Sequence, residues 1–276
     1  MMTAMDIETQ TAQSHTQARV QRMQQQQQQQ VRTCTWLNNV ATDSMKSGDI
    51  DLAISSLREC ITTVRDALTP RFQGIVNDNN SCGLRVETEH QNVMQEENEG
   101  SSYLQSWITY ENTNVKHQLD VALEASLDNR GIYISTNPII IPHDVSETVP
   151  CVTPVHALVS MFNMALCYHM KATQEQQDED LLMDSISKAI NLYKLCDDLI
   201  RTSGIRASLV FCMTITNNLG SLYSMLGSKD QSISCFERLL STQMLLMDRN
   251  HSAATFDGFW YNTSRLVLSQ STSPAA

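Results

Sequence analysis

Between residues 153 and 249 apolar side chains recur at helical spacing in four long stretches, 153–173, 181–202, 206–226 and 229–247, and this pattern constrains the fold more than anything else in the chain. A helix with an apolar stripe must bury it against a neighbour. The breaks fall at Ser203-Gly204 and Gly227, so the stretches are expected as two helix pairs. Residues 36–68 repeat the arrangement on either side of Ser47-Gly48-Asp49. Gly48 suits the left-handed end of one helix and Asp49 the cap of the next. Pro70 is expected to limit that second helix. The expected fold class is all-α.

The rest of the chain divides by composition. Residues 1–30 are polar and end in the run Gln24–Gln30, which reads as a disordered tail. Because Gln is a fair helix former, the run can also lengthen the helix that follows or join a coiled coil. A first helix pair is expected over 31–70, a polar linker over 71–102 and a second helical domain over 103–268, before a disordered end at 269–276. Residues 69–150 carry twelve acidic against four basic side chains and hold most of the net charge of −11; this acidity reads as a solvated spacer. Within it, GIYISTNPIIIP alternates and has a turn signal at Thr136-Asn137-Pro138. Two readings stand: a short β-hairpin over 132–141, or an extended apolar lid packed on the helices. The segment DGFWYNTSRLVL, residues 257–268, is expected as a C-terminal capping helix, with an aromatic peptide anchor as the alternative.

Comparing the helix pairs with one another gives a packing code. In residues 217–236, NNLGSLYSMLGSKDQSISCF, a large apolar residue is followed by a small one, an aromatic, a turn glycine, then a small and an aromatic residue: Leu219, Gly220, Tyr223, Gly227, Ser232 and Phe236. Gly220 and Ser232 are expected to face each other where the two helices cross, because only small side chains allow close approach. This segment resembles the tetratricopeptide repeat. Val40, Ala41, Gly48, Ala53 and Leu57 follow the same pattern, with Ser44 where an aromatic is expected. Met164, Ala165, Tyr168, Ala189, Tyr193 and Cys196 follow it too, with KATQEQQDEDLL as an insertion that lengthens the turn or both helices. The alternative is a helical bundle with fortuitous small residues.

The resemblance implies stacked antiparallel helix pairs, an α-solenoid whose first helices line a groove. In each of the three pairs the residue before the large apolar position is an asparagine: Asn39, Asn163 and Asn218. In tetratricopeptide proteins that bind extended peptides, asparagines near this place hold the ligand backbone, because a carboxamide both donates and accepts. The resemblance assigns these three that role, with Asn38, Asn217 and Ser221 beside them as polar contacts. Repeats that grip acidic chaperone tails carry Lys and Arg in this groove; here the positions hold Asn38, Thr42, Asn163, Thr214 and Asn218, so no carboxylate clamp is expected.

No GxSxG, GxxxxGK[ST], strand-borne GxGxxG or HExxH motif occurs, so no catalytic residue, cofactor or metal is expected. The calcium-loop look of DSMKSGDID fails at Met45 and Ile54. Cys167 and His169 read as core and rim rather than metal ligands. Cys82, in NNSCG, is the cysteine best placed for reactivity. The eight cysteines, no two forming CxxC, suit a reducing compartment, and the absence of a signal peptide or apolar span points to cytosol or nucleus. An acidic surface argues against nucleic acid. The expected function is protein–protein interaction, adaptor or scaffold; an enzyme of unfamiliar type and a self-associating homo-oligomeric array are the alternatives.

Overall fold

A computed structural model describes residues 4–77, 131–142, 151–174, 178–205, 207–247 and 257–271. Seven helices run through them: α1 (Ala4–Ser47), α2 (Ile50–Asn77), α3 (Pro154–Gln174), α4 (Glu179–Thr202), α5 (Leu209–Met225), α6 (Lys229–Met247) and α7 (Asp257–Ser271). Each packs on the next in chain order; in addition α1 touches α3 and α5 touches α7. The molecule is thus a series of adjacent helix pairs, α1–α2, α3–α4 and α5–α6, closed by α7.

Local chemistry sets the corners. Gly48 lies at φ 84°, Gly204 at 71° and Gly227 at 72°, the left-handed region where a Cβ is strained. Asp49 Oδ1 accepts from Leu52 N at 3.1 Å, so the expected cap is made. Asp178 starts α4 by accepting from Leu181 N at 3.1 Å, and Ser208 starts α5 by accepting from Phe211 N at 3.2 Å. The insertion after Tyr168 is taken up mainly by longer helices, since α3 runs to Gln174 and α4 begins at Glu179.

The packing code is visible in contacts. Ser232 Oγ donates to Gly220 O across the α5–α6 crossing at 2.8 Å, and a Cβ on Gly220 would come within 2.7 Å of Phe236 Cε1. Ala41, Ala53, Ala165 and Ala189 are fully buried, and Tyr168, Tyr193 and Tyr223 belong with them to one large core cluster. Central α3 is buried almost all round, as its sequence PVHALVSMFNMALCYHM requires. Phe162 at its middle meets Phe211 of α5 edge-on at 4.9 Å and Tyr193 of α4 at 5.9 Å.

Three expectations change. The disordered reading of the Gln-rich head gives way to its alternative: the chain is helical from Ala4, and Gln24–Gln30 lengthens a helix fixed by the packing of Val31, Cys34 and Leu37 against α2. Helix α2 continues past Pro70 to Asn77, although a proline takes one backbone N–H out of the helical hydrogen bonding and crowds the carbonyl four residues before it. Of the two readings of 132–141, the hairpin is not formed among the described residues and the extended apolar lid is: 131–142 runs as a single segment across the helices, with Ile132, Ile139 and Ile141 packed among them. Of the expected linker, 71–77 belongs to α2; the rest of it, the start of the second helical domain expected from 103, and Cys82 lie outside the described residues. No helix among those described is long and apolar enough to cross a membrane.

Candidate functional site

In an extended chain the N–H and C=O of one residue point to the same side, and the side alternates from residue to residue. A carboxamide placed beside such a residue can accept from its N–H and donate to its C=O at once. Four asparagines on four helices do this to the segment 131–142. On α7, Asn262 Oδ1 accepts from Tyr133 N and Nδ2 donates to Tyr133 O, both at 2.8 Å. On α5, Asn218 holds Ser135 N and O at 3.1 and 3.0 Å. On α3, Asn163 holds Ile139 N and O, both at 2.8 Å. On α1, Asn39 holds Ile141 N and O at 3.0 and 2.8 Å. The segment therefore crosses α7, α5, α3 and α1 in that order, opposite to the order of the helices in the chain.

The spacing follows from extended geometry. Two residues advance about 7 Å, the step from 133 to 135 and from 139 to 141, and four advance about 13 Å, the step from 135 to 139. Helices in contact lie roughly 8–10 Å apart, so the short steps fit the touching pairs α5–α7 and α1–α3. Every clamped residue is odd-numbered, as the alternation demands.

A second row of polar groups ties the ladder together. Asn38 Nδ2 donates to Ile139 O at 2.9 Å while its Oδ1 accepts from Asn163 Nδ2 at 2.9 Å. Asn217 Nδ2 donates to Tyr133 O at 3.1 Å, and its Oδ1 accepts from Asn262 Nδ2 at 2.6 Å. Asn218 Nδ2 also donates to the Tyr193 hydroxyl at 3.0 Å. Burial pushes the pKa of that hydroxyl well above the ordinary tyrosine value, so it stays protonated. Asn38, Asn163, Asn217 and Asn218 are all fully buried, and Asn262 is nearly so. Such a set is stable only because each member has partners.

Side chains of the segment fill apolar seats. Ile139 and Ile141 join the main core, and Ile132 joins a smaller cluster with Met213, Leu239 and Phe259. The Tyr133 ring lies edge-on to Phe259 at 6.0 Å and occupies the space a Cβ on Gly258 would need. Arg265 Nη1 donates to Gly131 O. No residue from Gly131 to Pro142 is charged, and the asparagines facing it are neutral.

Of the six residues the sequence singled out, five touch this segment or one another. Ser221 does not: it is fully buried and its Oγ meets His169 Nε2 of α3 at 3.4 Å. Asn262 was missed, although Asn262-Thr263-Ser264 repeats the asparagine-X-small triplet of 39–41, 163–165 and 218–220. Thr42 and Thr214 turn their hydroxyls onto their own helices, bonding Asn39 O and Val210 O. Cys167 and His169 are fully buried; desolvation raises the thiol to about 12 and lowers the imidazole to about 3. No protein-family model, curated protein or solved structure matches this chain.

Proposed function

We propose that the chain is a non-catalytic interaction module, an adaptor or scaffold of tetratricopeptide-like helix pairs, whose first helices read the backbone of an extended peptide. One observation carries this reading: four asparagines, one on each of α1, α3, α5 and α7, each make a two-point hydrogen bond to an odd-numbered residue of a single extended segment. Helices that only needed to bury each other would not carry carboxamides in register along one face, because a buried polar group without a partner is costly. The small residues at the crossings, Gly220 against Ser232 above all, support the stacked-pair reading of the fold.

The test is affinity capture from a cell lysate with wild-type chain, the Asn39→Ala chain and the Asn137→Ala chain side by side. Asn39 is at the partly buried end of the ladder, and Asn137 is exposed on the segment between clamps. Proteins lost with Asn39→Ala but kept with Asn137→Ala support binding through the ladder. Identical partner sets in all three, or none, refute it and return weight to a self-associating array or an unrecognised enzyme.

A further inference from the structure

The ladder is built to hold a peptide, and the peptide in it belongs to the same chain. We infer that residues 131–142 are an intramolecular ligand that occupies the groove in cis, and that the partner is an extended, uncharged peptide with the same aliphatic pattern, which binds by displacing it. This rests on the groove reading above and adds the partner's chemistry and the condition for binding.

Three observations define that chemistry. The contacts at positions 133, 135, 139 and 141 are to backbone N–H and C=O, so they ask only for extended conformation and an N–H at each clamp. Side-chain choice enters through the seats of Ile132, Ile139 and Ile141, apolar and closed to water. A carboxylate or ammonium group placed there would be buried beside neutral amides with no counter-charge. An acidic tail or a basic peptide is excluded on the same ground.

Cis occupancy also sets the terms of competition. A ligand tethered to its own site acts at an effective concentration in the millimolar range for short links, so a free peptide of equal intrinsic affinity competes poorly until the tethered copy is weakened. A partner therefore needs better-fitting side chains, more than one contact site, or help from an event that loosens 131–142.

The experiment uses a fluorescein-labelled synthetic peptide of residues 131–142 and fluorescence anisotropy with the full chain. Wild type is expected to bind it weakly. A chain carrying Ile139→Ser and Ile141→Ser, which keeps every clamp but empties two seats, is expected to bind it at least roughly tenfold tighter. A peptide with Asp in place of Ile139 and Ile141 is expected not to bind. If the variant remains helical by circular dichroism and binds no better than wild type, the segment is a strut of the core and the inference is overturned. If the variant is unfolded alone, recovery of helicity on adding the peptide supports the inference, and no recovery overturns it. Equal binding of the Asp peptide overturns the partner chemistry. A mass by light scattering that rises with concentration in wild type but not in the Ile139→Ser, Ile141→Ser chain assigns the seat to 131–142 of a second copy and overturns cis occupancy. Exchange of the peptide with no cellular partner captured would leave cis occupancy and the seat chemistry standing while the adaptor reading, and with it the displacing partner, fails; partner capture without exchange would keep the adaptor reading and overturn displacement of 131–142.

Discussion

Replacing Asn163 by Ala tests the ladder at a fully buried rung. The change leaves Ile139 N–H without its acceptor and Asn38 Oδ1 without the Asn163 donor, whereas Ile139 O keeps Asn38 Nδ2 at 2.9 Å. Two buried polar groups are thus stranded, at about 1–3 kcal/mol each, and water entering the space of the lost carboxamide recovers part of that. A destabilisation of about 3 kcal/mol is expected in urea unfolding, together with faster hydrogen exchange at the Ile139 amide. The exposed Asn137→Ala control is expected to stay within about 0.5 kcal/mol. Asn163→Asp sharpens the test. It keeps an acceptor for Ile139 N–H but points a carboxylate oxygen at Ile139 O and Asn38 Oδ1. Burial and these acceptors raise the folded-state pKa of that carboxyl above its unfolded value near 3.9, so the loss of stability is small in acid and grows as pH rises through about 4. If Asn163→Ala costs no more than Asn137→Ala, and Ile139 exchange is unchanged, the bonds to the segment do not stabilise the fold and the ladder reasoning fails.

Other outcomes follow from single contacts. Gly220→Ala places a Cβ 2.7 Å from Phe236 Cε1; overpacking of about 1–3 kcal/mol should exceed the roughly 1 kcal/mol helix gain, and pairing it with Phe236→Leu should recover much of the loss in thermal unfolding. Gly258→Ala collides with the Tyr133 ring, so exchange at the amides of 133 and 135 should quicken in that variant and return toward normal when Tyr133→Ala is added. Burial holds the pKa of His156 down to about 4 and that of His169 to about 3, from an ordinary 6.5. The unfolded chain therefore binds protons first as pH falls, and stability should drop between about 6.5 and 4, by roughly 2 kcal/mol per histidine from pH 7 to 5. A urea midpoint constant over that range would contradict it.

How much of this was legible differs by element. The helices could be read because each carries its own signals: the left-handed Gly48 and Gly227, the Asp49 cap, and the small residues that Gly220 and Ser232 place in register. Asn39, Asn163 and Asn218 could be read as one face because they hold equivalent places in three helix pairs. Whether 132–141 forms a hairpin or a lid on the helices could not be decided, since GIYISTNPIIIP alternates whether a strand or a row of carboxamides pairs with its backbone. Asn262 was missed for a related reason: α7 has no second helix after it among the described residues, so its triplet had no pair to be aligned with. Ser221 was placed with Asn218 because residues three apart share a helix face, but its short side chain does not reach the segment and bonds His169 of the neighbouring helix instead.

The register of the segment is also written in its prolines. A clamp needs an N–H, and proline has none. Sliding the segment by one residue in one direction would bring Pro138 to Asn163; sliding it in the other would bring Pro142 to Asn39. Each slip also turns the side chains to the opposite face. A two-residue slip preserves the facing but carries either exposed Asn137 into the buried seat of Ile139 or His143 into that of Ile141. Only the observed register satisfies backbone and side chains together. Pro138→Ala, which restores an N–H at a position no clamp uses, should leave stability within about 1 kcal/mol while permitting the slipped register. Amide exchange protection, high at 133, 135, 139 and 141 in wild type, should then spread to 132, 134, 138 and 140 in the variant. Unchanged, strictly odd-numbered protection would mean that the isoleucine seats set the register without help from the prolines.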